Sequence, residues 1–82
     1  MPYVYILFSA KCNQHYVGFS NDVEQRMLRH NKGMVKATKN CRPYTLIAQK
    51  FFASDALARS EELRIKKQKS SVYIRWLCAG NW

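Results

Sequence analysis

Two tyrosine-bearing runs decide the fold of this chain, Tyr3-Val4-Tyr5-Ile6-Leu7 and Tyr16-Val17-Gly18. Tyrosine and β-branched residues favour strands, and residues 10–14 between the runs supply turn residues. Because side chains alternate across a strand, a hairpin of the two runs predicts two different faces. One face would be entirely apolar, with Val4, Ile6, Phe8, Val17 and Phe19. The other would carry Tyr3, Tyr5, Tyr16 and Gly18. This second face offers hydroxyl groups and one residue without a side chain, and we interpret it as the floor of a site.

The rest of the chain predicts one more strand and three helices. After strands over residues 3–9 and 15–19, Asn21 and Glu24 form a capping box for a helix that runs to Asn31, with Gly33 just past its end. A strand over residues 44–52 follows, then a helix capped by Ser54 that runs to residue 69. A short last helix begins at residue 70 or 71, and its Tyr73, Trp76 and Leu77 would cover the core. This order predicts a single α+β domain over residues 1–82, a small three-stranded antiparallel or mixed sheet flanked by helices.

The composition predicts a folded cytoplasmic protein. Hydrophobic residues make up 48% of the 82 residues, which excludes a disordered chain. No apolar stretch is long enough for a membrane helix, and the apolar N-terminal run lacks the basic region of a signal peptide. The three cysteines are odd in number and widely spaced, which argues against a disulfide framework. We therefore expect Cys12 and Cys41 to be loop thiols and Cys78 to be a core residue.

The charge of the chain points to a polyanion as its partner. Fourteen Lys and Arg residues stand against five Asp and Glu residues, for a net charge of +9. Between Gln25 and Ser54 there are seven cationic residues and no acidic one. Such a bias favours nucleic acid over a membrane surface. We expect phosphate contacts from Lys32, Lys36, Lys39 and Arg42. No recognition-helix motif or zinc-finger spacing is present, so sequence-specific binding is not expected.

One carboxylate is a candidate metal ligand. Asp22 and Glu24 lie in the first turn of one predicted helix and Asp55 in the first turn of the next, which leaves only Glu61 and Glu62, in the middle of that second helix. Pairing with nearby lysines and arginines would explain both. Glu62, however, aligns with the small Ala58, which leaves room for a hard divalent cation at its carboxylate.

In the first predicted helix, Arg26 and His30 share one face because they are four residues apart. The bland alternative is that both are surface residues, with His30 favourably placed at the C-terminal end of the helix dipole.

Taken together, these residues resemble the GIY-YIG nuclease superfamily over nearly the whole chain. The two signatures appear as Tyr3-Val4-Tyr5 and Tyr16-Val17-Gly18, with Tyr3 in the place of the first glycine. Arg26 and His30 match the arginine of the family and the histidine that many members carry one turn later. Residues 38–46, which include Arg42-Pro43, and the run from Ala58 through Glu62 to Lys66 are similar to a short stand-alone bacterial branch.

The resemblance implies a metal-dependent endonuclease that hydrolyses phosphodiester bonds, in DNA more than in RNA, with one Mg²⁺ or Mn²⁺ ion. By the same resemblance, Glu62 would hold the metal and Arg26 would clamp a phosphate oxygen. Tyr5, ahead of Tyr16, would orient or deprotonate the attacking water, and His30 would accept the proton. Larger members of the family carry separate DNA-recognition domains, for which 82 residues leave no room. A protein partner could therefore supply specificity.

Two alternatives stay open at this point. A non-catalytic nucleic-acid-binding module would use the same basic residues and tyrosines to bind strands by charge and stacking, without hydrolysis. A small zinc protein would use Cys12 and His15, which have knuckle-like spacing, together with His30 and Cys41.

Overall fold

The hairpin predicted at the start of the chain forms two adjacent strands of the sheet, of which the first is the central strand. The computed structural model describes all residues, Met1–Trp82. Its strands are β1 (Tyr3–Ser9), β2 (Gln14–Ser20) and β3 (Thr45–Phe51), in the order β2-β1-β3 with both pairings antiparallel. The helices are α1 (Val23–Asn31), α2 (Asp55–Gln68) and α3 (Ser71–Trp76), with a short 3-10 helix over Lys39–Cys41 and a π-helical turn over Leu77–Asn81. The predicted α+β class, a three-stranded sheet flanked by helices, is confirmed. None of the helices combines the length and the apolar character needed to cross a membrane.

The register of the hairpin places the two signature tyrosines on one face. Tyr5 lies opposite Gly18, and Leu7 lies opposite Tyr16. A Cβ atom added to Gly18 would lie 2.5 Å from Tyr5 Oη and 3.1 Å from Tyr16 Cε1. Gly18 is therefore required because the two phenol rings occupy the space where its side chain would stand.

The two faces of the sheet bury two separate apolar clusters. The first unites the predicted apolar face with α2 and the C-terminal turn, and consists of Val4, Ile6, Val17, Ala58, Ile65 and Leu77. The second lies on the tyrosine face beneath α1, and consists of Tyr5, Leu7, Val23 and Tyr44. The helices α1 and α2 thus cover opposite faces of the sheet.

Two of the predicted core residues are placed differently. Phe8 lies outside the first cluster and packs on the His15 ring instead, with ring centroids 4.9 Å apart. Trp76 is 53% exposed, whereas Tyr73 and Leu77 pack on the core as expected. Trp76 is exposed because it is the last residue of the short helix α3, which presents only one face to the sheet.

The first helix begins one residue later than the capping box predicted. Asp22 is the N-cap, and its Oδ1 accepts a hydrogen bond from the backbone N–H of Gln25 at 3.0 Å. The expected cap at Asn21 is wrong because β2 continues through Ser20, whose hydroxyl accepts from the Asp22 N–H at 3.0 Å. The later caps agree with prediction: Gly33 has a φ of 76° past the end of α1, and Ser54 caps α2.

The cysteines correct the sequence-based expectation. Cys12 and Cys41 are joined by a disulfide, although 29 residues separate them. They meet because the β1–β2 turn and the short 3-10 helix lie side by side, held also by a hydrogen bond from the Ser9 hydroxyl to the Cys41 carbonyl. Cys78 is a free thiol that packs against the first cluster, as expected.

Candidate active site

The Tyr5 phenol lies at the centre of the candidate site. Its side chain is 0% exposed, and its Oη lies 3.0 Å from His30 Nε2. The Tyr16 ring is close to both groups, with its centroid 6.4 Å from that of Tyr5 and 4.9 Å from that of His30. Tyr16 differs in one respect that matters chemically, since it is only partly buried.

His30 links Tyr5 to the segment that follows α1. It is fully buried, and its Nδ1 lies 2.8 Å from Thr38 Oγ1. The single hydrogen of the Thr38 hydroxyl is directed to the Val35 carbonyl at 3.4 Å, so the hydroxyl accepts from His30 Nδ1–H. His30 Nε2 is then an acceptor for the Tyr5 O–H. This arrangement assigns one tautomer to His30, and it depends on Thr38, for which the sequence predicted no role.

The pKa values of Tyr5 and His30 are both shifted in the direction that opposes transfer of the Tyr5 proton to His30. Burial raises the pKa of Tyr5 above its usual range, and the neighbouring Arg26 guanidinium opposes that increase only in part. Burial also lowers the pKa of His30, and the positive charge of Arg26 adds to this effect. Tyr5 is therefore a neutral phenol and His30 a neutral imidazole at pH 7, since burial disfavours the charged form of each.

Arg26 reaches the site from α1. Its side chain is partly buried, and its Nε is a buried donor without a hydrogen-bond partner. A buried donor that makes no hydrogen bond costs about 1–3 kcal/mol. A guanidinium suits a phosphate because its charge is fixed and its N–H groups form a planar fork.

Glu62 lies on α2, the helix that packs on the face of the sheet opposite Tyr5. This helix contacts β2, an outer strand of the sheet. Glu62 is 5% exposed, and its Oε2 accepts a hydrogen bond from Lys66 Nζ at 2.9 Å. That ammonium lies 5.5 Å from the centroid of the Tyr16 ring. Burial chiefly raises the pKa of Tyr5, and the negative charge of Glu62 adds to this increase.

The two glutamates of α2 make different contacts. Glu61 is paired at both oxygens with Arg64, at 2.6 and 2.8 Å, and Oε2 also accepts from Trp82 Nε1 at 2.9 Å. The hydrogen bonds from Arg64 accordingly lower the pKa of Glu61. Glu62 Oε1, in contrast, is buried and makes no hydrogen bond, with Arg59 Nη1 3.5 Å away.

The buried Oε1 of Glu62 makes no hydrogen bond, so its chemistry is compatible with a metal ligand. A buried carboxylate oxygen without a hydrogen bond is a suitable ligand for a hard cation. Mg²⁺ keeps several water ligands in protein sites, so a single carboxylate is sufficient. The structure contains no group of three His, Cys, Asp or Glu side chains that could hold a metal. The predicted zinc set of Cys12, His15, His30 and Cys41 is therefore wrong, because the two thiols are consumed by the disulfide.

The predicted phosphate-binding residues lie beside the site and not in it. Lys32, Lys36, Lys39 and Arg42 are all exposed on the segment between α1 and β3. The ends of this segment are fixed because the Asn31 side chain bonds both the N–H and the carbonyl of Tyr44, at 2.7 and 3.2 Å. The same segment carries Thr38, so the basic surface and the Tyr5–His30 pair are held by one piece of chain.

Comparison with known proteins identifies the family of the chain. Residues 1–75 match the model of the GIY-YIG catalytic domain. A UPF0213 protein of Staphylococcus haemolyticus is 42% identical over 65 residues, which cover 78% of each chain. A UPF0213 protein of Staphylococcus saprophyticus is 37% identical over 79 residues, which cover 95% of each chain. The solution NMR structure of a UPF0213 protein from Bacillus halodurans superimposes with a TM-score of 0.57 at 32% identity, covering 96% of this chain and 84% of the other. With both signature tyrosines on one face of the sheet and the family model matched along the chain, this protein belongs to the GIY-YIG catalytic-domain family.

Proposed function

We propose that this protein is a metal-dependent endonuclease that hydrolyses phosphodiester bonds, in DNA more than in RNA, without strong sequence specificity. Membership in the GIY-YIG family supports a nuclease-type function with a nucleic-acid substrate. The observation that carries the proposal is a pair of buried atoms without hydrogen-bond partners, the donor Arg26 Nε and the acceptor Glu62 Oε1. Their charges both act on Tyr5. A phosphate would satisfy the first atom and a divalent cation the second.

Glu62 would hold the Mg²⁺ or Mn²⁺ ion. When bound, such an ion polarises the scissile phosphate and stabilises the leaving oxygen. Arg26 would bind a non-bridging phosphate oxygen, where its permanent charge stabilises the negative charge that develops in the transition state.

The difference in burial between Tyr5 and Tyr16 reverses the roles proposed from the sequence, in which Tyr5 came ahead of Tyr16 in acting on the attacking water. Moving the proton from a phenol to an imidazole, with ordinary pKa values of 10.0 and 6.5, costs about 5 kcal/mol. Burial widens this gap for Tyr5 and His30. We therefore assign the orientation of the attacking water to the partly exposed Tyr16. Tyr5 and His30 would hold the ring of Tyr16 and the phosphate-binding side chain of Arg26 in place.

A cleavage assay tests the proposed function. Labelled single-stranded, duplex and branched DNA, and the matching RNA, are incubated with the protein and Mn²⁺, and again after chelation of the metal. We expect cleavage that requires the metal, with DNA cut faster than RNA. Binding that is indifferent to metal, with no product at any enzyme concentration, would instead support a non-catalytic nucleic-acid-binding module.

Binding should weaken steeply as salt concentration rises. Contacts to phosphates release counterions, so each lysine that binds a phosphate contributes about 0.9 to the slope of log affinity against log salt on duplex DNA. We expect Lys36→Gln and Lys39→Gln each to reduce that slope by about one contact. Lys67→Gln, an exposed lysine of α2 outside the basic segment, serves as the matched control and should leave the slope unchanged. Fluorescence anisotropy at several salt concentrations measures it, and a flat response in the wild type would refute the predicted surface.

A further inference from the structure

An open cavity of about 380 Å³ adjoins the candidate active site on the outer side of β2. It lies between β2, the end of α2 and the start of α3. The floor is apolar, formed by Val17, Ile65 and Ile74. The rim is polar, and its residues include Asn13, Gln14, His15, Lys66 and Lys69. This volume is in the range of sites that bind small organic molecules in proteins.

Two residues belong both to the cavity and to the candidate active site. Tyr16 and Lys66 line the cavity. The Lys66 ammonium lies 2.9 Å from Glu62 Oε2 and 5.5 Å from the centroid of the Tyr16 ring. A molecule in the cavity would therefore contact two side chains that also border the candidate active site.

The charge of the lining favours an anion. Lys66 and Lys69 contribute two positive charges, and no Asp or Glu lines the cavity. A phosphate group would be attracted to this rim, where Lys69 is exposed, and Lys66 is exposed while its ammonium is paired with Glu62 at 2.9 Å.

His15 also lines the cavity, and one nitrogen of its ring lacks a hydrogen-bond partner. Its Nδ1 is buried without a hydrogen-bond partner. Burial lowers the pKa of His15, and the charge of Arg75 lowers it further, so the ring is a neutral hydrogen-bonding group at pH 7. The exposed side-chain amides of Asn13 and Gln14 would pair with the edge of a heterocyclic base whose faces contact the apolar floor.

We propose that this cavity holds one unpaired nucleotide of the strand that is cut, next to the scissile phosphate. The preferred substrate is then a nucleic acid with a single-stranded or extruded nucleotide at the cleavage position. A base that remains stacked and paired in a duplex cannot enter a cavity of this kind, whereas an unpaired base enters at a lower energetic cost. The inference rests on the proposed nuclease function and adds to it the class of substrate.

Binding to the cavity can be measured without catalysis. Isotope-labelled protein is titrated in metal-free buffer with cytidine monophosphate, and separately with inorganic phosphate and with cytidine. We expect the largest NMR shifts at residues 13–17 and 65–71, and at least tenfold weaker binding of phosphate or nucleoside alone. Shifts spread over the basic segment, with none at the cavity, would overturn the proposal.

Three variants separate a binding role from a structural one. Lys69→Gln should weaken cytidine monophosphate binding at least fivefold, whereas the matched control Lys67→Gln, outside the cavity lining, should change it less than twofold. His15→Leu should also weaken binding, yet leave the free energy of unfolding equal or higher, because it removes a buried nitrogen without a partner. Equal losses in the two lysine variants would indicate a general charge effect and refute the site.

Cleavage and oligonucleotide binding distinguish the remaining outcomes. With Mn²⁺, a single strand and a duplex with a one-nucleotide bulge should be cut at least tenfold faster than the perfect duplex of the same sequence. Equal rates on all three would refute the inference and leave the nuclease function intact. Cavity binding without any cleavage would refute the nuclease function alone.

A trinucleotide should bind at least tenfold tighter than the mononucleotide, and the reverse order would mean that the cavity takes free nucleotides instead of a strand.

Discussion

Replacement of Glu62 by glutamine is expected to lower the rate of cleavage at least about 100-fold, the effect of losing one charged contact to the transition state. Glutamine has nearly the same shape, so the packing of α2 against Ala58 and Ile65 should persist. It lacks the negative charge that a divalent cation needs. The ion-pair partners of Glu62, Lys66 and Arg59, are exposed. The loss of these ion pairs should therefore change the free energy of unfolding little. The measurements are single-turnover cleavage rates and direct titration of Mn²⁺ binding.

Glu61→Gln is the matched control for this experiment. It removes the same charge from the adjacent position of α2, but the lost contacts are those to Arg64 and Trp82 and not those to Lys66 and Arg59. We expect near wild-type cleavage and metal binding, with lower thermal stability. Equal cleavage by the wild type and by Glu62→Gln would remove Glu62 from the mechanism.

The second large effect is expected from Gly18→Ala. The new methyl carbon would lie 2.5 Å from Tyr5 Oη and 2.7 Å from Tyr5 Cζ, distances at which atoms overlap. Tyr5 is fully buried and hydrogen-bonded to His30, so it cannot move aside without losing that contact. Overpacking of this kind costs about 1–3 kcal/mol of stability. We expect a fall of that size in the free energy of unfolding, measured with urea, together with a loss of most cleavage activity.

A double variant shows whether the clash with the phenol is the cause. Tyr5→Phe removes the hydroxyl oxygen that lies nearest to the new methyl group. In the presence of Tyr5→Phe, the Gly18→Ala change should therefore cost less stability than it costs alone, while cleavage stays low. If Gly18→Ala alone were as stable and as active as the wild type, the close approach of Tyr5 to Gly18 would be disproved.

The elements of the fold were predictable where the signals are local. The alternation of Val4, Tyr5 and Ile6 identifies the two faces of β1, and Ser54 identifies the start of α2. The predicted start of α1 was one residue too early, because no residue pattern in the sequence shows that β2 extends to Ser20. The exposed Trp76 was misplaced because an apolar side chain near a chain end can face either way.

The site was predictable only in part. Tyr5, Tyr16, Arg26 and His30 were singled out because they match motifs of the GIY-YIG family, and the structure places Tyr5, Tyr16 and His30 in contact. Three features depend on contacts between distant segments and carry no periodic signal. These are the Cys12–Cys41 disulfide, the hydrogen bond of Thr38 to His30, and the cavity between β2 and α3.

The disulfide encloses most of the site in one covalent ring. The stretch between Cys12 and Cys41 contains Tyr16, Arg26, His30 and Thr38, and leaves only Tyr5 and Glu62 outside. Closing a ring of this length reduces the entropy of the unfolded chain by an amount worth about 3–4 kcal/mol. A protease that cuts once in the exposed stretch around Lys36 would therefore leave both fragments tethered, and they would separate only when a thiol reductant is added.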